Sequence, residues 1–156
     1  MRRGKRLGVD VGEARVGVAS CDPDAILATP VVTLKRGQSD LRKVAKMVRD
    51  DDIMEVIVGL PLNMDGTEGI SARHARVWAG KLARRIAPVS VRLVDERLST
   101  VAAHAQLSAA GRDSRTHRRV VDQVAATVIL DTALEMERRR DEAPGELVAP
   151  EPERES

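Results

Sequence analysis

Leu7-Gly8-Val9-Asp10-Val11-Gly12 is a short apolar run broken by a single acid. Lys5 to Val11 has the composition of a strand that ends at Gly12, and a second run, Arg15 to Ala19, follows after a few turn-compatible residues. Together they predict a hairpin, and so a sheet that starts antiparallel. A charge within such a strand is costly to bury without a partner. Asp10 therefore needs turn amides or a cation, and Gly8 and Gly12 leave room for a ligand or another backbone to come close.

Working outward, Asp22-Pro23 precedes a third strand, Val31 to Leu34, and Pro30 before it suits an edge position. The period then changes. Ser39 or Asp40 caps a helix in which Leu41, Val44, Ala45 and Val48 recur at helical spacing. Ile53 to Val58 reads as a buried strand. A second helix starts near Ser71, turns Ala75, Trp78, Ala79, Leu82 and Ile86 to one side, and ends before Pro88. Val89, Val91 and Leu93 alternate in a fifth strand.

Strand, helix, strand, helix, strand from Val31 onward calls for crossovers and parallel pairing. The expected class is α/β: a five-stranded mixed sheet, antiparallel in its first three strands and parallel after them, flanked by helices. Two more helices are expected, one from Ser99 or Thr100 to Gly111, the other from about Thr116 to Arg139 with Val121, Ala125, Val128 and Leu134 inward. At 156 residues the chain suits one domain, placed at 1–140. Residues 141–156, rich in Pro and Glu, lack the apolar surface to fold and are expected to form a disordered acidic tail.

Composition narrows the function. No run reaches the ~20 apolar residues of a membrane span, and the basic start leads straight into a strand, so a cytoplasmic protein without membrane contact is expected. Cys21 is the sole cysteine, which excludes an internal disulfide and cysteine-ligated zinc. A lone thiol is usually a small buried hydrophobe; at a surface it could link two copies into a homodimer. The net charge of +2 hides an asymmetry, because six acids and one base give 141–156 a charge of −5 and leave +7 on the rest. A basic body favours a polyanion. With no Phe, no Tyr and one Trp, a base-stacking platform for single strands is hard to build, which favours recognition of backbone and shape.

Three further features carry chemistry. Asp95-Glu96-Arg97 closes the fifth strand, where ligands collect in open α/β sheets. Alternation puts Asp95 and Glu96 on opposite sides, so only one of them can join Asp10, and periodicity does not say which. Asp122 lies early in an apolar helix, downstream of Arg112, Arg115, Arg118 and Arg119, whose charges can favour its ionised form or grip phosphate. Three acids at the ends of elements suit hard, oxygen-loving Mg²⁺ or Mn²⁺. The loop from Gly59 to Gly69, with Asn63 and Asp65-Gly66, offers ordinary turn chemistry or an anion nest of backbone amides. His74, His104 and His117 show no metal-ligand spacing.

In order and spacing, Arg6-Leu7-Gly8-Val9-Asp10-Val11-Gly12 with Arg15-Val16-Gly17-Val18-Ala19, Gly59-Leu60-Pro61-Leu62-Asn63-Met64-Asp65-Gly66, Asp95-Glu96-Arg97-Leu98-Ser99-Thr100 and Val121-Asp122-Gln123-Val124-Ala125-Ala126 resemble the YqgF, or RuvX-like, family. That family is associated with pre-16S rRNA 5′-end processing and with Holliday junction resolution. The match spans roughly Gly4 to Arg139, with Val124 and Ser99 as conservative departures. The resemblance implies an RNase H-like fold and a metal-dependent nuclease. It assigns Asp10, Glu96 and Asp122 as catalytic metal ligands for Mg²⁺ or Mn²⁺, in a two-ion site. Gly12, Asn63 and Asp95 become supporting residues, and Arg97, Arg115, Arg118 and Arg119 contacts to a structured nucleic acid, either pre-rRNA or a four-way DNA junction.

Two other readings compete. A non-catalytic nucleic-acid or ribosome-associated module would keep the basic surface, although the presence of all three acids argues against it. Asp10-Val11-Gly12 also resembles the first phosphate loop of actin-like ATPases, but those need two such domains and the chain is too short.

Overall fold

The computed structural model describes residues 1–37, 39–98 and 114–152; for Leu98 and 114–120 only the backbone is described. In chain order the elements are β1 (Arg6–Val11), β2 (Arg15–Cys21), β3 (Ala28–Lys35), α1 (Asp40–Asp50), β4 (Glu55–Leu60), α2 (Ile70–Ile86), β5 (Ser90–Asp95), a 3₁₀ turn (Glu96–Leu98), α3 (Ser114–Arg140) and β6 (Glu146–Leu147). The expected helix from Ser99 or Thr100 to Gly111 lies outside the described residues.

Among these residues the strands form one sheet in the order β3-β2-β1-β4-β5-β6. β1 and β2 are the expected antiparallel hairpin, closed by the Gly12 amide donating to the Arg15 carbonyl at 2.8 Å. β3 continues antiparallel at the edge, where Pro30 opposes Ala19 just after a bulge at Val18/Ala19. On the other side of β1, β4 and β5 are parallel to it in succession. This is the mixed sheet read from the sequence, with one strand more than expected.

That sixth strand corrects the account of the C-terminus. Within 141–152, expected to be disordered, β6 pairs antiparallel with Arg92 and Leu93 of β5. The Val148 amide donates to Val91 and that of Glu151 to Gly80, each at 2.9 Å. The segment has few apolar side chains, but backbone hydrogen bonds to an unprotected sheet edge do not depend on side-chain type. Gly145, at φ +66°, makes the entry possible, because a Cβ there would run into the Leu93 carbonyl.

The sheet has a layer on each face. Leu7, Val9, Val16, Val18, Val56, Val58, Val91 and Leu93 meet Val44, Ala45 and Val48 of α1 and Ala75, Trp78, Ala79 and Leu82 of α2. On the other face Ile57 and Val94 meet Ile129, Leu130, Ala133 and Leu134 of α3. The buried stripe of α3 thus differs from the expected Val121, Ala125 and Val128, which are only half-buried, while Ala126, Ile129 and Leu130 are buried. The cause is the close approach of helix to sheet. A Cβ on Gly8 would lie 2.6 Å from both the Ala126 carbonyl and the Leu130 Cβ, and one on Gly17 would collide with the Asp122 backbone. Residues 122, 126 and 130 therefore form the row against the sheet, and that row carries Asp122 onto it.

Cys21 is buried, at 5% exposure, and burial pushes its thiol above the ordinary value. This is the usual place of a lone thiol and sets aside the alternative of a surface thiol linking two copies, since a buried thiol is unreactive.

Candidate active site

Asp10 lies near the end of β1 on the α3 face, two residues beyond Gly8 and paired across the hairpin with Gly17. Asp122 stacks over that same Gly17, so helix and strand deliver two carboxylates side by side. Glu96 follows the last residue of β5, and a Cβ on Gly59 of β4 would lie 3.5 Å from its carboxyl carbon. It reaches across the end of β4 and hydrogen-bonds with Asp10. Periodicity left open which member of Asp95-Glu96 joins Asp10, and the structure turns Glu96 to it.

The electrostatics follow. Burial is the largest influence on Asp10 and raises its carboxyl well above the ordinary carboxylate range; the Glu96 hydrogen bond and the charges of Glu96 and Asp122 push the same way. Acids crowded in this way favour the neutral form, and a cation placed among them reverses that preference. Asp122 receives the Nε of Arg15 at 2.8 Å on its Oδ2.

The donor set fits a hard divalent cation, being all carboxylate oxygen with an excess of negative charge. Asp10 and Glu96 already touch. Among the described residues no three acidic, His or Cys side chains are closed around one point at ligand distance. Asp122, drawn toward Arg15, is the member that would have to turn.

Asp95 faces away and grips Arg97 with both oxygens, Nη2 to Oδ2 at 2.8 Å and Nε to Oδ1 at 3.1 Å. The Arg97 hydrogen bond holds the Asp95 carboxyl below its usual range despite some burial. Arg97 also donates to the carbonyls of Asn63 and Met64, which pins the loop after β4 beside the acids. That loop is no anion nest: the Asn63 amide donates to Thr67, that of Gly66 to Asn63, and that of Thr67 to Asp65. The Asn63 side chain is likewise spent within the loop, on the Thr67 hydroxyl at 3.0 Å.

Gly12 shapes the hairpin turn, and its carbonyl accepts from Arg36 at 3.1 Å. Arg115, Arg118 and Arg119 fall on the first turns of α3, and their side chains lie outside the described residues. Arg15 and Arg36 were not singled out from the sequence. Arg15 could have been, because alternation in β2 puts it on the face of Gly17, opposite Asp10.

A central sheet with an antiparallel hairpin start, parallel continuation and carboxylates gathered at its carboxyl end has the RNase H-like fold. Among solved structures, RuvC of T. thermophilus in complex with a Holliday junction substrate superposes with a TM-score of 0.52, at 12% identity, covering 90% of this chain and 99% of that one. At that identity the likeness is one of fold. Family membership rests on sequence: residues 4–136 match RuvX, described as a Holliday junction resolvase, and the chain belongs to that family. A relative from Thermobifida fusca, named "Putative pre-16S rRNA nuclease", is 53% identical over 155 residues, 95% of this chain and 98% of that protein. One of the same name from Nocardioides is 49% identical over 153 residues, 95% and 98% of the two chains.

Proposed function

We propose that this chain is a metal-dependent endonuclease that hydrolyses phosphodiester bonds of structured nucleic acid in the cytoplasm, with processing of the 5′ end of pre-16S rRNA as its role. The observation that carries the chemistry is the meeting of Asp10 with Glu96 beside Asp122, an all-carboxylate donor set in which Asp122 is paired with Arg15. The role follows from relatives similar over nearly their whole length. Asp10, Glu96 and Asp122 would hold the ions, Mg²⁺ or Mn²⁺, two in number as in two-metal nuclease sites. Bound there, such ions supply Lewis acidity toward the phosphate and a water nucleophile at neutral pH.

The chain's own residues do the rest. Asp10 and Glu96, side by side at the carboxyl end of the sheet, would present their oxygens to the ions. Arg97, braced by Asp95, holds the Asn63 loop at the rim and offers positive charge to the backbone of the nucleic acid. Arg115, Arg118 and Arg119, in the first turns of α3, are assigned the remaining phosphate contacts. Phosphate contacts of this kind fix position without reading sequence.

A second reading, cleavage of four-way DNA junctions, is favoured by the family's description. It requires two active sites, hence two copies of the chain. The test uses a precursor 16S rRNA 5′ leader and a four-way DNA junction, both end-labelled, with wild type and Asp10→Asn, in Mg²⁺, Mn²⁺ or EDTA. Metal-dependent cutting of the leader that is lost in Asp10→Asn is expected. Preferential cutting of the junction would move the role to recombination, and cutting of neither would favour a binding module.

A further inference from the structure

Arg15 neutralises a residue that the proposed function needs for another purpose. Its Nε donates to Asp122 at 2.8 Å, yet its side chain remains 36% exposed while that of Asp122 is 14% exposed. The contrast with Arg6 is instructive. Arg6 is buried at 1% exposure and is held by Glu137 and by the carbonyls of Gly4 and Arg2, at 2.7–2.8 Å, so it cannot change partners. Among the described residues, Arg15 has one hydrogen-bonded side-chain partner and is open to solvent on the face where Asp10, Glu96 and Asp122 converge. A guanidinium that pairs with carboxylate pairs equally well with phosphate, through the same planar fork.

We infer that Arg15 couples nucleic-acid binding to metal loading: it holds Asp122 in the free protein and exchanges that carboxylate for a backbone phosphate of the nucleic acid. The inference rests on the reading of Asp122 as the third ligand. Three observations motivate the exchange. Asp10 and Glu96 are already in contact, whereas Asp122 is directed to Arg15. A cation among the three acids repels a guanidinium at the same carboxylate. A phosphate arriving over these acids needs a positive partner, and Arg15 is a cation already bonded to one of them. Because coupling is reciprocal, metal must raise nucleic-acid affinity by the factor by which nucleic acid raises metal affinity.

The experiment measures binding, not turnover. Mn²⁺ is titrated calorimetrically into wild type, Arg15→Gln, Arg15→Lys and Asp122→Asn without nucleic acid. Affinity of each for a four-way DNA junction is then read by stopped-flow anisotropy before cleavage, in EDTA and in Mn²⁺. Arg15→Gln should bind Mn²⁺ about two- to fivefold more tightly than wild type, the range expected for release of a half-exposed ion pair. The fold-gain in junction affinity on adding Mn²⁺ should shrink in that variant, with Arg15→Lys intermediate. Mn²⁺ binding by Arg15→Gln equal to or weaker than wild type, with Asp122→Asn weakened, would overturn the role of Arg15 alone. Unchanged Mn²⁺ binding by Asp122→Asn would overturn the ligand assignment beneath it.

Discussion

The two ends of the sheet bury charge in opposite ways. At the amino end, Glu55 at 0% and Glu137 at 2% exposure meet Arg2, Arg6 and Arg92. Arg2 Nη2 reaches Glu55 at 2.8 Å, and the Ser90 hydroxyl donates to Glu55 at 2.7 Å. Burial alone would raise the Glu55 carboxyl, but the hydrogen bonds of Arg2 and Ser90 and the charges of Arg2 and Arg92 outweigh it and hold it below its usual range. At the carboxyl end, Asp10 is raised instead, by burial first and then by the acids Glu96 and Asp122 beside it. A buried carboxylate that is matched by cations belongs to the framework, whereas one left among its own kind awaits a ligand.

The largest effect should come from breaking the balanced end. Glu137→Ala leaves Arg6 buried without its carboxylate and should cost about 3–5 kcal/mol by urea denaturation. A loss under about 1 kcal/mol would show that the amino end is not the framework described. At the junction of the two ends' elements, Gly17→Ala forces α3 off the sheet where it carries Asp122. It should cost about 1–3 kcal/mol and lower the cleavage rate more than the nucleic-acid affinity. Equal losses in both would mean that the helix shifts as a whole without disturbing the acids.

A loss of the same order is expected from removing residues 142–156. Two loop hydrogen bonds and the β5–β6 ladder go with them, which amounts to about 1–3 kcal/mol, read as a lower melting temperature. An unchanged melting temperature would return this segment to the status of a tail.

The smallest effect is one of sign. Glu55, with its lowered folded value, contributes stability above the unfolded glutamate value near ~4.3, and that contribution is lost as pH falls through the folded value. Asp10, with its raised folded value, does the reverse: as pH rises above the unfolded aspartate value near ~3.9, the folded state loses stability. In EDTA, Asp10→Asn should therefore gain stability over wild type as pH rises through this window, and Glu55→Gln should lose it. Parallel pH profiles for the two variants would erase the distinction between the ends.

Much of this was legible in the sequence, for identifiable reasons. The hairpin from Lys5 to Ala19 and the order of strands and helices follow from period and turn residues, which are local signals. An acid inside Leu7-Gly8-Val9-Asp10-Val11-Gly12 stood out because its neighbours are apolar. What escaped depends on contacts between distant segments. β6 joins a sheet edge by backbone hydrogen bonds, the α3 stripe is set by glycines more than a hundred residues away, and Arg15 acquires meaning only once Asp122 is stacked over Gly17. The choice of Glu96 over Asp95 was given by the family resemblance, and the physical reason appears in the structure: Asp95 is occupied with Arg97 while Glu96 reaches over Gly59 to Asp10.

The central claim is that the carboxyl end of the sheet is a divalent-cation site while the amino end is not. Calorimetric titration of Mn²⁺ into wild type, Asp10→Asn and Glu55→Gln at neutral pH tests it most directly. The account predicts saturable binding with proton release in wild type, weakened at least about tenfold in Asp10→Asn and kept in Glu55→Gln. Binding of equal strength in wild type and Asp10→Asn would contradict it.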